Sequence, residues 1–237
     1  MNKQKRQELI TELIKKEAFI TVSELSRLTF TSQSSIRRDL AELQNKGIIT
    51  RTYGGAMLSG SETIAAPFER RINKNKFEKS LIAKKASSLL EDKQTIFLDA
   101  SSSSYYLIPH IAKLSSSTVF TNNMLSAIKL IENGVKTYCL GGTSENNTCV
   151  LTGSLTRNCI KSLHADIMFF SSLALSENGI IYGSNEAETR VRQLMMENSD
   201  TTVFLCDSGK LKMHSHFVLC NAEEIDYIFC DKTIDFL

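Results

Sequence analysis

The sequence lacks the features of membrane, secreted and metal-binding proteins. No apolar run in its 237 residues is long enough to span a bilayer, and the N-terminal stretch MNKQKRQELI has no apolar core of the kind that secretory signals carry. Its six cysteines stand singly, without a CxxC pair or a spacing typical of metal ligands. We therefore expect a cytoplasmic protein with reduced cysteines, no membrane partner, no metal and no cofactor.

Net charge is small but unevenly distributed. Residues 1–60 carry ten Lys and Arg against six Asp and Glu, a net of +4, whereas the rest of the chain carries 18 against 20, a net of −2. A basic N-terminal quarter on a mildly acidic remainder favours a nucleic-acid-binding arm attached to a separate body. An ordinary solvated surface is the competing interpretation of so few charges.

Three short helices are predicted in the first sixty residues. Apolar residues recur at helical spacing in residues 3–16, in the segment TVSELSRL and in the segment SSIRRDLAELQNKG. Thr21 and Glu24 have the spacing of a capping box, and Gly47 is placed to end the third helix. A short polar turn joins the second and third helices, which is the helix-turn-helix pattern.

The third helix predicts an exposed basic face followed by a wing. At about 100° per residue, Ser34 and Arg38 lie opposite Ile36. The segment IITRTYGGAML then reads as strand, turn and strand. A three-helix cap or dimerisation arm with incidental arginines is the alternative to DNA binding. We predict contact with a double-stranded DNA operator through Ser34, Ser35, Arg37, Arg38, Arg51 and Tyr53.

The remainder of the chain predicts a second, larger domain. Residues 59–75 are polar, contain one of only two prolines and read as a linker. From Lys76 onward, helical and strand patterns alternate, which is typical of an α/β domain with a mostly parallel sheet and helices on both faces. We expect a winged helix-turn-helix domain at 1–58, a linker at 59–75 and an α/β effector-binding domain at 76–237.

Polar clusters follow five of the predicted strands. The carboxyl ends of parallel strands are where α/β proteins bind ligands, and hydroxyls, backbone N–H groups and an ammonium suit a phosphate or a phosphorylated sugar. Each cluster also has an ordinary interpretation as a helix cap or a turn. The clusters are Asp99 to Ser104, Thr121 to Asn123, Gly141 to Thr143, Ser171 with Ser172, and Asp207 to Lys210.

The N-terminal motif resembles a known family signature. The stretch SSIRRDLAELQNKGIITRTYGGA is similar to that of the DeoR family of bacterial transcriptional regulators, in which a Ser/Thr-x-x-Arg-Arg-Asp-Leu helix runs into a Gly-Gly-Ala wing. This resemblance implies a winged helix-turn-helix and an effector domain similar to ribose-5-phosphate isomerase. It also implies that Phe68 and Arg71 dock at the domain junction. The matching residues are Ser34, Arg37, Arg38, Asp39, Leu40, Gly54, Gly55 and Ala56.

The resemblance extends to the larger domain, with departures. Ser101 to Ser103 stand where the family has Gly-Thr-Thr, Arg192 where a lysine is usual and Gly209 where a serine is usual. Two further glycines are absent between Ser171 and Ala174. Ser101 adds a side chain where a phosphate would approach the backbone. The effector-binding residues that follow from the resemblance are Asp99, Ser101, Ser102, Ser103, Thr121, Asn122, Gly141, Gly142, Glu188, Arg192, Asp207 and Lys210.

These patterns predict a regulator and leave alternatives open. We expect a repressor of sugar metabolism genes that is modulated by a phosphorylated sugar, without catalytic residues. It is expected to form a homo-oligomer, because paired recognition helices read repeated half-sites. The alternative is a sugar-phosphate isomerase-like enzyme with a DNA-binding appendage, using Asp99, Glu188 or Asp207 as its base. The four histidines do not cluster with these carboxylates. A pure interaction scaffold leaves the polar clusters unexplained.

Overall fold

The structure is a computed structural model that describes residues 3–17, 19–52, 55–58, 68–144 and 148–237. The chain forms two compact units, Met1–Ala66 and Pro67–Leu237. Part of the segment predicted as a linker is a helix in the second unit. In this helix Phe68 is buried, and the Arg71 guanidinium lies 5.2 Å from the centre of its ring. No described helix is both long and apolar enough to cross a membrane.

The first unit contains three helices and a three-stranded antiparallel sheet of order β1-β3-β2. The capping box of Thr21 and Glu24 starts the second helix, Ser32 caps the third, and Gly47 has a left-handed φ of 69° just beyond its end. Strand β1 has no counterpart among the predicted elements. The elements are α1 (Lys3–Glu17), β1 (Phe19–Thr21), α2 (Val22–Leu28), α3 (Gln33–Asn45), β2 (Ile49–Thr52) and β3 (Gly55–Leu58).

The second unit is built on a six-stranded sheet of order β12-β10-β7-β4-β5-β6, and every neighbouring pair is parallel. This arrangement confirms the predicted α/β class. The strands are β4 (Thr95–Leu98), β5 (Thr118–Thr121), β6 (Lys136–Cys139), β7 (Ala165–Phe170), β10 (Ser199–Cys206) and β12 (Tyr227–Cys230). The helices are α4 (Phe68–Asn73), α5 (Lys76–Ala86), α6 (Ile108–Ile111), α7 (Met124–Glu132), α8 (Ser154–Lys161) and α9 (Glu186–Glu197).

Successive side chains of the central strands belong to two separate hydrophobic clusters. Phe97 of β4 and Phe170 of β7 lie in one cluster, whereas Leu98 and Phe169 lie in the other. Because side chains alternate between the two faces of a strand, both faces of the sheet are buried. The central strands are therefore packed on both of their faces.

A small antiparallel sheet of order β11-β9-β8 lies outside the parallel sheet. It consists of β8 (Ala174–Leu175), β9 (Ile180–Gly183) and β11 (Phe217–Asn221). Strand β11, which has the sequence FVLCN, pairs antiparallel with β9 and so belongs to this smaller sheet. Strand β9 and helix α8 were not predicted.

Candidate functional site

The N-terminal end of α3 presents its polar side chains to solvent. Ser34, Arg37 and Arg38 are exposed, and Ser35 is half-buried. The Ser32 hydroxyl accepts a hydrogen bond from the Ser35 N–H at 3.4 Å and so caps the helix. A capped helix with serines and arginines exposed in its first turns has the donors that phosphates and base edges accept.

Asp39, the next residue of the motif, faces the opposite way. It is almost completely buried, and its Oδ2 accepts a hydrogen bond from Arg6 Nε of α1 at 2.5 Å. This hydrogen bond raises the pKa of Arg6 above its ordinary value. Within Arg-Arg-Asp, two arginines are therefore available to a partner, and the aspartate ties α3 to α1.

The wing is only partly described. Arg51 lies in β2 opposite Ala56 of β3, in an antiparallel pair. Tyr53 and Gly54 lie outside the described residues. Contact of Ser34, Ser35, Arg37, Arg38, Arg51 and Tyr53 with DNA stays a prediction.

In the second unit, all five polar clusters follow strands of the one parallel sheet. The clusters after β4, β7 and β10 follow three adjacent strands at the centre of that sheet. Their loops meet: the Ser171 N–H donates to Asp99 Oδ2 at 3.4 Å, and Lys210 Nζ donates to Ser171 Oγ at 2.7 Å. The sheet order, which the sequence did not specify, explains why residues 99, 171 and 210 come together.

A buried arginine joins two of the predicted carboxylates. Arg192 Nε lies 2.8 Å from Asp99 Oδ2, and Arg192 Nη2 lies 3.1 Å from Glu188 Oε2. Burial works against the charge of Arg192, but the two carboxylates raise its pKa above the ordinary value. Burial also works against the charge of Glu188, and Arg192 nevertheless holds its pKa below the ordinary value. Arg192 and Glu188 are therefore both ionised at neutral pH, and Asp99 is the second carboxylate that Arg192 contacts.

Two lysines contact the serine loop, which comprises residues 101–104 after β4. Lys210 Nζ lies 3.5 Å from Ser103 Oγ and 3.4 Å from Asp207 Oδ2. Lys79 Nζ of α5 donates to Ser102 Oγ at 2.9 Å. Burial, with the nearby charge of Lys210 as a second cause, lowers the pKa of Lys79 to about 8. Ser102 and Ser103 thus each accept a hydrogen bond from a different lysine.

Asp207 and Ser101 have partners within the protein. Asp207 Oδ1 accepts from Asn75 Nδ2 at 2.7 Å, and although burial raises its pKa, Lys210 and this hydrogen bond hold the value below the ordinary one. The Ser101 hydroxyl lies 2.8 Å from Ser104 Oγ and accepts from the Ser104 N–H at 3.1 Å. Ser101 therefore closes the turn of the serine loop, and the lysines contact its neighbours instead.

The remaining predicted residues are tied to residues 140–156. Thr121 O accepts from the Leu140 N–H at 2.8 Å, and Asn122 Nδ2 donates to Leu151 O at 3.0 Å. Gly141 O accepts a hydrogen bond from the Thr156 hydroxyl of α8. Gly142 has a φ of 145°, and a Cβ atom there would lie 2.0 Å from Thr156 Oγ1. The missing side chain of Gly142 thus allows α8 to pack closely.

Within the predicted effector residues, two buried polar atoms have no hydrogen-bond partner in the described part of the chain. They are the acceptor Asn122 Oδ1 and the donor Arg192 Nη1. Buried polar atoms are normally satisfied, and a polyhydroxylated ligand can both donate to the first and accept from the second. Two lysines, paired serine hydroxyls and these two atoms together suit an anionic, hydroxyl-rich small molecule. Within the described residues, no group of His, Cys, Asp and Glu could hold a metal ion.

The first unit contains a helix-turn-helix, and the second has polar residues suited to a ligand at the carboxyl ends of its parallel strands. These two features define a transcriptional regulator with a sensor domain. Residues 6–62 match the DeoR-like helix-turn-helix domain, and residues 74–232 match the DeoR C-terminal sensor domain. The chain belongs to the DeoR family.

Curated relatives of the chain are transcriptional regulators. It is 36% identical over 231 residues to the HTH-type transcriptional regulator GolR of Listeria innocua, covering 97% of this chain and 91% of that one. It is 34% identical to the L-fucose operon activator of Haemophilus influenzae, covering 97% and 92%. It is 30% identical to the lactose phosphotransferase system repressor of Staphylococcus epidermidis, covering 98% and 93%.

Solved structures share the fold of the second unit at low sequence identity. The delta subunit of eIF2B from Chaetomium thermophilum has a TM-score of 0.52 at 13% identity, over 70% of this chain and 60% of that one. Ribose 5-phosphate isomerase A from Methanocaldococcus jannaschii has a TM-score of 0.44 at 16% identity, over 58% and 55%. The match thus spans little more than half of the isomerase, and its low score carries no argument about activity.

Proposed function

We propose that this protein is a repressor that binds an operator through α3 and the wing, and that a phosphorylated sugar changes its affinity for DNA. The observation that carries the proposal is the pair of lysines, Lys79 and Lys210, that each hold one hydroxyl of the serine loop at the carboxyl ends of the central strands. Ammonium groups and hydroxyls at this position suit a phosphate. Because its target is chromosomal DNA, we expect the protein to act in the cytoplasm.

Relatives support a sugar as the effector and leave the sign of regulation to experiment. The names of two relatives refer to fucose and to lactose, one as an activator and the other as a repressor. We propose repression, the role named for the lactose relative, because a protein bound to an operator can keep other proteins from that DNA. A ligand alters this occupancy only if it binds the DNA-competent and DNA-incompetent states with different affinities.

We further propose that the protein does not turn over a substrate. An isomerase needs a general base, and Asp99, Glu188 and Asp207 are the carboxylates considered for that role. Asp99 is held by Arg192 and by the Ser104 hydroxyl at 2.7 Å, and the pKa values of Glu188 and Asp207 are lowered by neighbouring cations. Carboxylates with lowered pKa values are poor bases. An assay of sugar-phosphate isomerisation that detects turnover by the purified protein would contradict this part of the proposal.

DNA binding is tested by selecting bound sequences from fragmented genomic DNA with the full-length protein. Fluorescence anisotropy then gives the affinity of the wild type, of Arg38→Ala and of the control Arg190→Ala, which removes an exposed arginine of α9. We expect Arg38→Ala to weaken binding at least tenfold and the control to bind as the wild type does. An Arg38→Ala variant with unchanged affinity, or a wild type that selects no sequence, refutes operator binding by α3.

Effector binding is tested separately with a panel of sugar phosphates. We expect a member of the panel to raise the unfolding temperature of the wild type and to change its affinity for the selected DNA. Lys210→Met should lose the response to that sugar phosphate while keeping its affinity for DNA. A response that survives in Lys210→Met would show that the ligand binds elsewhere.

A further inference from the structure

Phe30 occupies a strained and almost fully solvent-exposed position. It lies in the turn between α2 and α3, has a left-handed φ of 51°, and is 96% exposed, the highest value among the exposed large hydrophobic residues of the described part of the chain. Aromatic residues adopt positive φ values rarely, because their Cβ atom approaches the backbone. A side chain with this exposure contributes little packing that could offset the strain.

Hydrogen bonds of the turn hold the backbone in this conformation. The Thr31 N–H donates to Ser26 O at 3.1 Å, and the Phe30 N–H donates to Arg27 O at 3.4 Å. Together these bonds form a Schellman motif, in which the left-handed position is usually occupied by glycine and sometimes by asparagine. The Ser26 hydroxyl adds a bond to Thr31 O at 2.6 Å. Glycine or asparagine would therefore suit position 30 better than phenylalanine as far as folding is concerned.

The surroundings of Phe30 point to DNA as what covers it. Phe30 lies two residues before Ser32, the N-cap of α3. In helix-turn-helix proteins the N-terminal residues of the second helix contact base edges in the major groove, so this turn lies beside the DNA. Residues 25–38 contain three arginines and no aspartate or glutamate. A basic segment of this kind favours a polyanion over a basic or purely apolar partner.

We infer that Phe30 contacts the C5-methyl group of a thymine at the edge of the operator half-site. The methyl group is the one apolar feature of the major groove, and phenylalanine contacts it in known complexes. The contact would favour thymine at one position without adding a hydrogen bond. A contact with DNA would explain why phenylalanine stands at position 30 although its backbone is strained there, because strain is often kept at positions that serve binding. This inference rests on operator binding by α3.

The variant Phe30→Asn separates the effect of Phe30 on folding from its effect on DNA binding. The variant Phe30→Leu keeps an apolar side chain. We expect Phe30→Asn to raise the unfolding temperature of the full-length protein by about 2–4 °C, because asparagine adopts positive φ more readily. Its affinity for the operator selected by the wild type should fall about fivefold, the effect of one unfavourable base contact. Phe30→Leu should lose less affinity. Phe77→Ala, which removes an aromatic side chain that is 77% exposed in the second unit, is the control and should leave the affinity unchanged.

Replacing individual thymines of the operator by uracil identifies the contact, because this change removes only the methyl group. When uracil replaces the contacted thymine in each half-site, the wild type should bind the operator less tightly. Phe30→Asn should bind the uracil operator as tightly as it binds the unmodified one, because it makes no contact with the methyl group. The salt dependence of binding should be the same for both proteins, since no phosphate contact is removed.

Three results would overturn the inference about Phe30 while operator binding stands. The first is a Phe30→Asn variant that binds the operator as tightly as the wild type while Arg38→Ala does not, which leaves operator binding intact but excludes Phe30. The second is an equal response of both proteins to uracil at every position. The third is a loss of affinity that accompanies a change in oligomeric state on gel filtration, which would make Phe30 a contact between copies of the chain. A wild type that selects no DNA overturns this inference together with operator binding.

Discussion

Lys79 belongs to the candidate effector site, although the sequence did not predict it as an effector-binding residue. It lies on α5 in the segment KFEKSLIAKKA, where four lysines share one helix and give no sign that one of them is buried. In the folded protein Lys79 is 4% exposed, and its Nζ contacts Ser102 of a loop that follows β4. The packing of α5 on the sheet, rather than any local pattern, distinguishes this lysine from its neighbours.

The lowered pKa of Lys79 predicts that effector affinity depends on pH. Its pKa of about 8 results from burial and from the positive charges of Lys210, Arg71 and Lys74, opposed by Asp207. Below pH 8 the ammonium is present and attracts a phosphate, whereas above pH 8 the amine is neutral and the attraction is lost. A sugar phosphate keeps its charge over this range, because its second pKa is about 6.

Titration calorimetry between pH 7 and pH 9.5 measures this dependence. We expect the affinity of the wild type for its sugar phosphate to fall about tenfold over this range, the effect of losing one charged hydrogen bond. The midpoint should lie above 8, because the bound phosphate raises the pKa of Lys79. Lys79→Arg should show no such fall, and Lys84→Met, which removes an exposed lysine of the same helix, should behave as the wild type. A pH-independent wild type would exclude Lys79 from the contact.

At the scale of elements, Asp39 fixes α3 against α1. It is 1% exposed and forms an ion pair with Arg6 at 2.5 Å. We expect Asp39→Asn to destabilise the first unit by about 1–3 kcal/mol, because a hydrogen bond between charged groups is lost in a buried position. Arg38→Ala, one residue away but exposed, should leave the unfolding temperature unchanged and reduce DNA binding. Thermal unfolding followed by circular dichroism distinguishes the two, and equal unfolding temperatures would contradict the structural role of Asp39.

Packing of α8 depends on one of two adjacent glycines. A Cβ atom on Gly142 would lie 2.0 Å from Thr156 Oγ1 and 2.5 Å from Thr152 O, whereas one on Gly141 would meet no atom within 4 Å. We expect Gly142→Ala to lower the free energy of unfolding by about 3 kcal/mol, since overpacking and a positive φ both add to the cost. Gly141→Ala is the matched control and should change it little. Urea denaturation of the two variants gives the difference, and equal midpoints would show that α8 moves to accommodate the methyl group.

Much of the architecture could be predicted because its elements have strong local patterns. The capping box of Thr21 and Glu24, the stop at Gly47 and the short apolar strands are encoded by neighbouring residues. Strand β1 has only three residues, and α8 has eight, of which Thr156 and Ile160 are buried, so both are too short to stand out from the sequence. The order of the strands in the sheet and the ion pair of Arg192 with Asp99 depend on contacts between residues that are distant in the sequence. Asp99, Glu188 and Arg192 were predicted as effector-binding residues from family resemblance, and their ion pairing required the structure.

At the scale of the whole molecule, the proposed operator binding carries a geometric requirement. One α3 helix and its wing cover a single half-site, and the affinity of one such module is modest. If two copies of the chain act together, their recognition helices meet equivalent faces of the duplex only when the half-sites are separated by a whole number of helical turns, about 10.5 base pairs each. The protein then reads the spacing of the DNA as well as its bases.

Operators with altered spacing test this requirement on the wild-type protein. Inserting five base pairs between the half-sites rotates one of them to the opposite side of the duplex, and we expect the affinity to fall to that of an isolated half-site. Inserting ten base pairs returns both half-sites to the same side of the duplex and should restore most of the affinity. The remaining loss would reflect the greater distance between the half-sites. Anisotropy titrations on the three DNAs measure the effect, and the hydrodynamic mass of the complex gives the number of chains bound. Equal affinity for all three DNAs and for a single half-site would mean that one chain binds alone, and the expectation of a homo-oligomer on DNA would be wrong.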